Sequence, residues 1–265
     1  MSQRVLIRIE QQVAQISLNR PKKHNALDLE QFQAIVRAQH EVATQSDLRA
    51  VILTGEGVDF STGLDVKALM KSRGGMRKLL WKWLPWQPNL AQQVSVGWRR
   101  LNIPVIAALQ GRCWGGGLQI ALGADFRIAR PDSSLSIMEG RWGLIPDMGG
   151  TLALRECMGR DQAMKLAMTA QVINGEEAQK SGLVTELAED PLVAANNLAS
   201  ELCERSPDAI AATKKHYYRS WNGSNGMALA RETLYQLRVI SGTNQRIAVR
   251  RQLGEEQPYK KGKKF

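Results

Sequence analysis

The sequence predicts an α/β fold whose C-terminal part is helical. Three observations carry this. Apolar runs of strand length recur between residues 5 and 137, they alternate with glycine-bearing turns and helix-period segments, and from Ser206 onward the periodicity is almost purely helical. The expected division is therefore a core over residues 1–205 and a helical region over 206–265.

Taken in order, Val5 to Glu10 and Val13 to Leu18 alternate like the two strands of a hairpin turning near Gln11. Asp28 to Gln45 reads as a helix, and Ala50 to Leu53 as a short apolar strand that ends at Thr54 and Gly55. Further strands are expected at Val105 to Leu109, Phe126 to Ala129 and Leu135 to Ile137, with a helix from about Gly116 to Gly123. Beyond residue 205, SPDAIAATKKHYYRSW and MALARETLYQLRVISG are two amphipathic segments joined at Asn222 to Gly226. No internal repeat or low-complexity linker interrupts the chain.

At 265 residues the core is large enough to stand without disulfides or structural metal. The three cysteines (Cys113, Cys157, Cys203) and three histidines (His24, His40, His216) lack ligand spacing, so neither a disulfide scaffold nor a metal site is expected. Arg4, Arg8 and Glu10 interrupt any signal-peptide apolar region, and no run is long and apolar enough to span a bilayer. A cytoplasmic, metal-free protein is the expectation.

The net charge of +11 is unevenly placed. From Val66 to Ala124 there is no Asp or Glu, but nine basic residues: Lys67, Lys71, Arg73, Arg77, Lys78, Lys82, Arg99, Arg100 and Arg112. The last twenty residues add seven more, against Glu255 and Glu256 alone. Within the acid-free stretch, RKLLWKWLPWQPNLAQQVSVGWRRL interleaves bases with Trp81, Trp83, Trp86 and Trp98. Such a segment could dock on an anionic membrane or stack on single-stranded RNA, a function of a different class from catalysis.

Two glycine-bearing stretches follow predicted strands: VDFSTGLDVKAL and GRCWGGGLQIALGADF. Each exposes backbone N–H groups where a ligand can approach closely, and Gly116 opens a helix whose first turn favours a developing anion. Neither is a dinucleotide fingerprint, because GxGxxG and its distant acidic residue are missing.

LNRPKKHNAL, STGLD, GGGLQIALGADFRIA, MEGRWGLIPDMGGT, INGEEAQKSGLVTEL and SPDAIAATKK, in this order, resemble the crotonase superfamily of enoyl-CoA hydratases and isomerases over nearly the whole chain. The resemblance implies a crotonase (ClpP-like) fold, with repeated ββα units in a spiral core and a C-terminal helical trimerisation region. It implies a homotrimer or a dimer of trimers, an acyl-CoA thioester as substrate, and no separate cofactor. A polyanionic small ligand then accounts for the basic surplus, and no nucleic-acid partner is expected. The tail YKKGKKF either reaches a phosphate or is free in solvent.

By the same resemblance, the N–H groups of Leu64 and Gly116 form an oxyanion hole for the thioester carbonyl. Lys22, Lys23, His24, Asn25 and Ala26 lie along the coenzyme A moiety; Thr62, Gly63, Asp65, Gly115 and Trp142 complete the expected contacts. The two lysines read equally as a solvated surface pair. Hydratases carry two glutamates above the hole, but here the first position is Gln119, whose amide can hold water and cannot take its proton. The second is Glu139, with an ion pair to Arg141 as its structural alternative. Asp147, where hydratases usually have glycine, resembles the acid of dienoyl-CoA isomerases; alternatively it caps the helix that follows. Isomerisation of an enoyl- or 3,5-dienoyl-CoA is therefore expected first, with hydration as the alternative. The tryptophan-rich segment corresponds to a mobile wall of the acyl pocket in the family, and packing within or between subunits is its alternative.

Overall fold

In a computed structural model that describes residues 3–72, 74–263 and 265, the chain winds through successive strand–strand–helix turns. Arg73 and Lys264, each one of the basic residues counted above, lie outside the described residues.

Strands β1 (Val5–Glu10) and β2 (Val13–Leu18) pair antiparallel, and Gln11 and Gln12 between them both take positive φ, 46° and 69°. Two left-handed residues make the tight turn whose twist matches the strands. After β2, Leu27 forms a bridge to Leu64 and the chain enters α1 (Leu29–Thr44), whose first turn is capped by the Asp28 carboxylate accepting from Gln31 N at 2.8 Å. The next turn is β3 (Ala50–Gly55), the extended residues Ser61 to Leu64, then α2 (Val66–Lys71), α3 (Gly75–Leu80) and α4 (Leu90–Arg99). The third is β4 (Val105–Leu109), β5 (Arg112–Trp114) and α5 (Gly116–Ala121). The fourth is β6 (Phe126–Ala129) and β7 (Ser134–Ser136), followed by a 3₁₀ turn at Met138–Trp142, α6 (Gly150–Cys157) and α7 (Arg160–Thr169). Then come α8 (Gly175–Lys180), β8 (Glu186–Leu187) and α9 (Pro191–Cys203).

The first strands of the turns build one six-stranded sheet in the order β1-β2-β3-β4-β6-β8, parallel except for β1. The second strands build another row: β5 pairs parallel with β7, and bridges join Ser61 to Cys113 and Leu135 to Ile173. Every residue of β3 and β4 is buried, so the strands read as apolar runs without alternation. Their period of two is still visible in what each face meets. Val51, Leu53, Val105, Ala107 and Leu109 point into the main core, which also holds α1 and α4 residues. Ala50, Ile52, Ile106 and Ala108 point the other way, onto Ala195 and Ala199 of α9.

The C-terminal region has three helices where two amphipathic segments were expected: α10 (Pro207–Ser220), α11 (Asn225–Ile240) and α12 (Thr243–Gln252). Gly242 precedes Thr243 as N-cap of α12, which divides the second segment from a polar helix with little apolar periodicity. Helix α10 is tied to the core by Lys214, buried, whose Nζ lies 2.7 Å from Asp125 Oδ2 and donates to Ile103 O at 2.8 Å. Tyr218 donates to the other Asp125 oxygen at 2.7 Å.

Candidate active site

The site begins with the second row of bridges. In the parallel bridge to Leu64, Leu27 donates to Gly63 O at 2.8 Å and accepts from Asp65 N at 3.0 Å. The residue between, Leu64, must therefore turn its own N–H away from Leu27. One bridge further on, Ser61 donates to Arg112 O and accepts from Trp114 N, which sets Gly63 beside Gly115 and Gly116. Among the described residues neither the Leu64 N–H nor the Gly116 N–H has a hydrogen-bond partner. Gly63 has φ +84°, and a Cβ there would lie 2.8 Å from Trp114 O and 3.2 Å from Gly116 N, so only glycine brings the two donors together.

Three side chains converge beside these donors. Gln119, on α5, is fully buried. Its Oε1 accepts from Met148 N at 2.8 Å and Gly150 N at 3.2 Å, and its Nε2 donates to Glu139 Oε1 at 2.5 Å. The orientation of the amide is forced: two N–H groups need its oxygen, so the NH₂ must face the carboxylate. Glu139, on the 3₁₀ turn, lies beside Gly115, whose Cβ if present would be 3.5 Å from Glu139 Oε1. Its Oε2 is buried with no partner among the described residues. Burial pushes the Glu139 carboxyl above the ordinary range; the Gln119 bond pulls it partly back, and the nearby Asp147 charge adds to the rise. No ion pair joins Glu139 to Arg141 among the described residues.

Asp147 lines the same cavity, on its exposed lip, where the protein wall withholds enough water to raise its carboxyl too. It does not cap α6. That helix starts at Gly150 with Gly149 as N-cap and no side-chain cap bond, and the N–H of Gly150 is taken by Gln119 instead. The capping need that the sequence suggested is met from across the fold, which leaves Asp147 free for the cavity.

The cavity has a volume of about 700 Å³. Leu64, Gly115, Gly116, Glu139, Asp147 and Met148 surround the polar end, with Thr62, Gly63 and Trp142 also in its wall. Phe32, Met76, Leu79, Leu80, Ala91 and Ile145 form an apolar wall. Gln119 is not part of the lining; it stands behind Glu139. The tryptophan-rich segment contributes Leu79, Leu80 and Ala91 to the wall, with Met76 just before it, whereas Trp81, Trp83 and Trp86 are exposed outside and Trp98 is fully buried in the core.

The RPKKHNA segment is a tight turn in which His24 and Asn25 both take left-handed φ, 51° and 54°. Asn25 is buried and holds the turn: it accepts from Arg20 N at 2.8 Å and donates to Glu56 O at 3.0 Å and Asp59 O at 2.8 Å. Its side chain is thereby occupied. So is that of Asp65, which caps α2 through Ala68 N and pairs with Arg20. Lys22 and Lys23 are exposed beside the cavity rather than in its lining, and Ala26 likewise lies outside the lining.

His24 does line the cavity, together with Arg112 and Trp114, which were not singled out as contacts. Arg112 donates to buried Asp59 through Nε at 3.0 Å and Nη2 at 2.7 Å, and lies over the Trp114 ring at 5.4 Å; His24 Nδ1 stands 2.8 Å from Asp59. Burial would raise the Asp59 carboxyl, but the Arg112 bonds outweigh it and hold the carboxyl below the usual range. An arginine three residues before the glycine triplet was the available signal. Its partner, Asp59, is 53 residues away and no local pattern links them. Among the described residues no group of three or more His, Cys, Asp or Glu could hold a metal ion.

Residues 8–248 match the family model described as enoyl-CoA hydratase/isomerase. The (E)-benzylidenesuccinyl-CoA hydratase of Thauera aromatica is 33% identical over 80% of each chain. The short-chain-enoyl-CoA hydratase of Clostridium acetobutylicum is 31% identical over 86% of each. Among solved structures, enoyl-CoA hydratase from Mycobacterium tuberculosis H37Rv superposes with a TM-score of 0.86 at 27% identity, covering 100% of both chains. That from Bacillus anthracis does so with 0.88 at 25% identity, over 98% of this chain and 100% of its own. With this match over nearly its whole length, and the crotonase fold of its neighbours, the chain belongs to the enoyl-CoA hydratase/isomerase family.

Proposed function

We propose that the protein moves a double bond in an enoyl-CoA or 3,5-dienoyl-CoA, with Glu139 as the base and Leu64 N–H and Gly116 N–H as the oxyanion donors. Glu139 takes the α-proton, the C–H electron pair becomes a dienolate, and the thioester oxygen takes up the charge. Each donor aimed at that oxygen is worth about 3–4 kcal/mol by comparison with similar sites. Returning the proton to the γ-carbon gives a 2-enoyl thioester. With a 3,5-diene, Asp147 in its protonated form gives its proton to the ε-carbon to leave the 2,4-diene, and the cycle closes when Glu139 releases the α-proton and Asp147 takes one from solvent.

The observation that carries this reading is the bonding of Gln119. Its amide is committed to Met148, Gly150 and Glu139 and stands outside the cavity lining, so the carboxyls available to a substrate are those of Glu139 and Asp147. Hydration with two bases beside the water has lost one of them at position 119. Raised above its ordinary range, the Glu139 carboxyl is a stronger base than an exposed carboxylate, which suits it to taking the proton. The hydratase reading is favoured by a different observation, the names of the relatives, which are hydratases. The substrate in either case is an acyl-CoA, with His24, Arg112 and Trp114 at the cavity wall as its contacts beside Lys22 and Lys23. The trimeric assembly implied by the family is supported by exposed Leu229, Leu234, Leu237 and Ile240 on α11, and sedimentation of the purified protein tests it.

The test is a pair of substitutions assayed on a 3,5-dienoyl-CoA. Glu139→Gln is expected to lower turnover at least 100-fold, and Asp147→Asn to lower it similarly while sparing isomerisation of a 3-enoyl-CoA. Dienoyl turnover that survives Asp147→Asn removes that residue from the mechanism; turnover that survives Glu139→Gln removes the mechanism.

A further inference from the structure

We propose that residues 66–72 and 74–86 form a docking surface for anionic phospholipid membranes, which sets the apolar wall of the acyl cavity against the bilayer. The proposal goes beyond the reaction above and concerns where its substrate is met.

Large apolar side chains are normally withdrawn from water, and the core of this protein withdraws Trp98 to 1% exposure. In residues 66–86 Leu69 and Leu79 are buried, but four other large apolar side chains are not: Met70 is 81% exposed, Trp81 61%, Trp83 85% and Trp86 78%. Trp81 and Trp83 pack edge to face, with ring centroids 6.4 Å apart. Lys67, Lys71, Arg77 and Lys78 are exposed in the same segment, and no acidic residue occurs anywhere from Val66 to Ala124. Tryptophans with lysines and arginines, and no compensating acid, are what an anionic bilayer interface takes up: the rings settle at headgroup level while the cations meet the lipid phosphates.

The patch is also continuous with the site. Met76 and Leu80 line the cavity, yet they are 45% and 46% exposed, so each belongs both to the acyl wall and to the outer surface. An acyl chain lifted from a membrane would pass from one apolar environment to the next across these two residues. Single-stranded RNA suits the patch less well, because Met70, Met76, Leu80 and Leu84 would stay in water beside stacked bases. A second copy joined by a two-fold axis would place the like-charged lysines and arginines against each other.

Co-sedimentation of the full-length protein with vesicles tests this. We expect binding to vesicles of phosphatidylcholine and phosphatidylglycerol at 7:3, weakened about tenfold or more both in pure phosphatidylcholine and on raising salt from about 50 to 300 mM. Trp83→Ser with Trp86→Ser, and separately Lys71→Glu with Lys78→Glu, should each weaken binding about tenfold. Both pairs should keep the far-UV circular dichroism and the turnover of a soluble short-chain thioester. The same experiment on Glu139→Gln separates docking from chemistry, since vesicle binding should survive the loss of turnover. The proposal is overturned by absence of binding to the anionic vesicles, by binding that both pairs leave intact, or by the tryptophan pair altering only the sedimentation coefficient of the free protein. Binding to single-stranded RNA in place of vesicles overturns it as well.

Discussion

Replacing Gln119 by Met separates the two functions of its amide and probes how the candidate site is held. The methionine roughly conserves volume, so the effect is that of lost hydrogen bonds rather than of a cavity. Two buried N–H groups, of Met148 and Gly150, lose the oxygen that accepts them at 2.8 and 3.2 Å. A buried donor left unpaired costs about 1–3 kcal/mol, so for the two a total loss of about 2–6 kcal/mol follows, or roughly 4–24 °C in Tm for a chain of this size. The Nε2 bond to Glu139 at 2.5 Å is lost too. That bond favours the ionised carboxylate, so without it the carboxyl rises further above its ordinary range, and the acid limb of the kcat/KM profile moves to higher pH. Thermal denaturation and a pH–rate profile on one preparation read both effects. A Tm within about 1 °C of the parent, with an unmoved acid limb, would refute the clamp. Gln119→Glu is the informative contrast: it keeps an acceptor for both N–H groups but sets two carboxyls against each other, which must then share a proton and titrate as a pair.

Glu139→Gln should stabilise the fold while it lowers turnover. The folded chain binds the Glu139 proton more tightly than the unfolded chain, so stability falls as pH rises from the ordinary carboxylate range through the raised folded value. The variant should melt above the parent at pH about 8 and equal to it below pH about 4; a variant less stable than the parent at pH 8 contradicts this. Gly63→Ala forces a side chain into φ +84° and against Trp114 O, and kcat should fall about 100- to 1,000-fold in protein that still folds. Retention of full kcat would show that the Leu64 and Gly116 donors are not needed. Lys214→Met leaves Asp125 buried without its cation and should cost about 3–5 kcal/mol in denaturant titration; a loss under 1 kcal/mol, roughly that of a surface pair, would mean α10 is held otherwise.

Much of the fold is written locally. The hairpin, α1 behind its Asp28 cap, β4 and β6 can be read from apolar period and turn residues because each is decided by neighbours a few positions away. The three-residue β5 was not among the expected strands, since what makes it one is pairing with residues 22 positions on; its partner β7 lies one residue from the strand expected at Leu135 to Ile137. The short helices α2 and α3 carry too few turns for a period to emerge. At the site, the motif order marked Glu139, Asp147 and Gln119, and the structure places Glu139 and Asp147 in the cavity with the Leu64 and Gly116 N–H groups and Gln119 behind Glu139. The sequence could not reveal that Gln119 faces the 147–150 turn, because its acceptor function depends on N–H groups 29 and 31 residues away. Asp147 looked like a cap because the helical stretch was expected to follow it at Met148, whereas α6 begins at Gly150 with Gly149 as N-cap and the Gly150 N–H goes to Gln119. Asn25 and Asp65 stand within the motifs that match the family, yet their side chains hold the turn and α2. Motif position marked the neighbourhood and could not separate what holds it from what lines it.

Offering the purified protein crotonyl-CoA, a 3-enoyl-CoA and a 3,5-dienoyl-CoA side by side, and comparing kcat/KM, tests the reaction most directly. A protein with one base beside the oxyanion donors and an amide behind it should isomerise a 3-enoyl or 3,5-dienoyl thioester at least about 100-fold more efficiently than it hydrates crotonyl-CoA. Hydration of crotonyl-CoA at an equal or greater efficiency, abolished by Glu139→Gln, would contradict it.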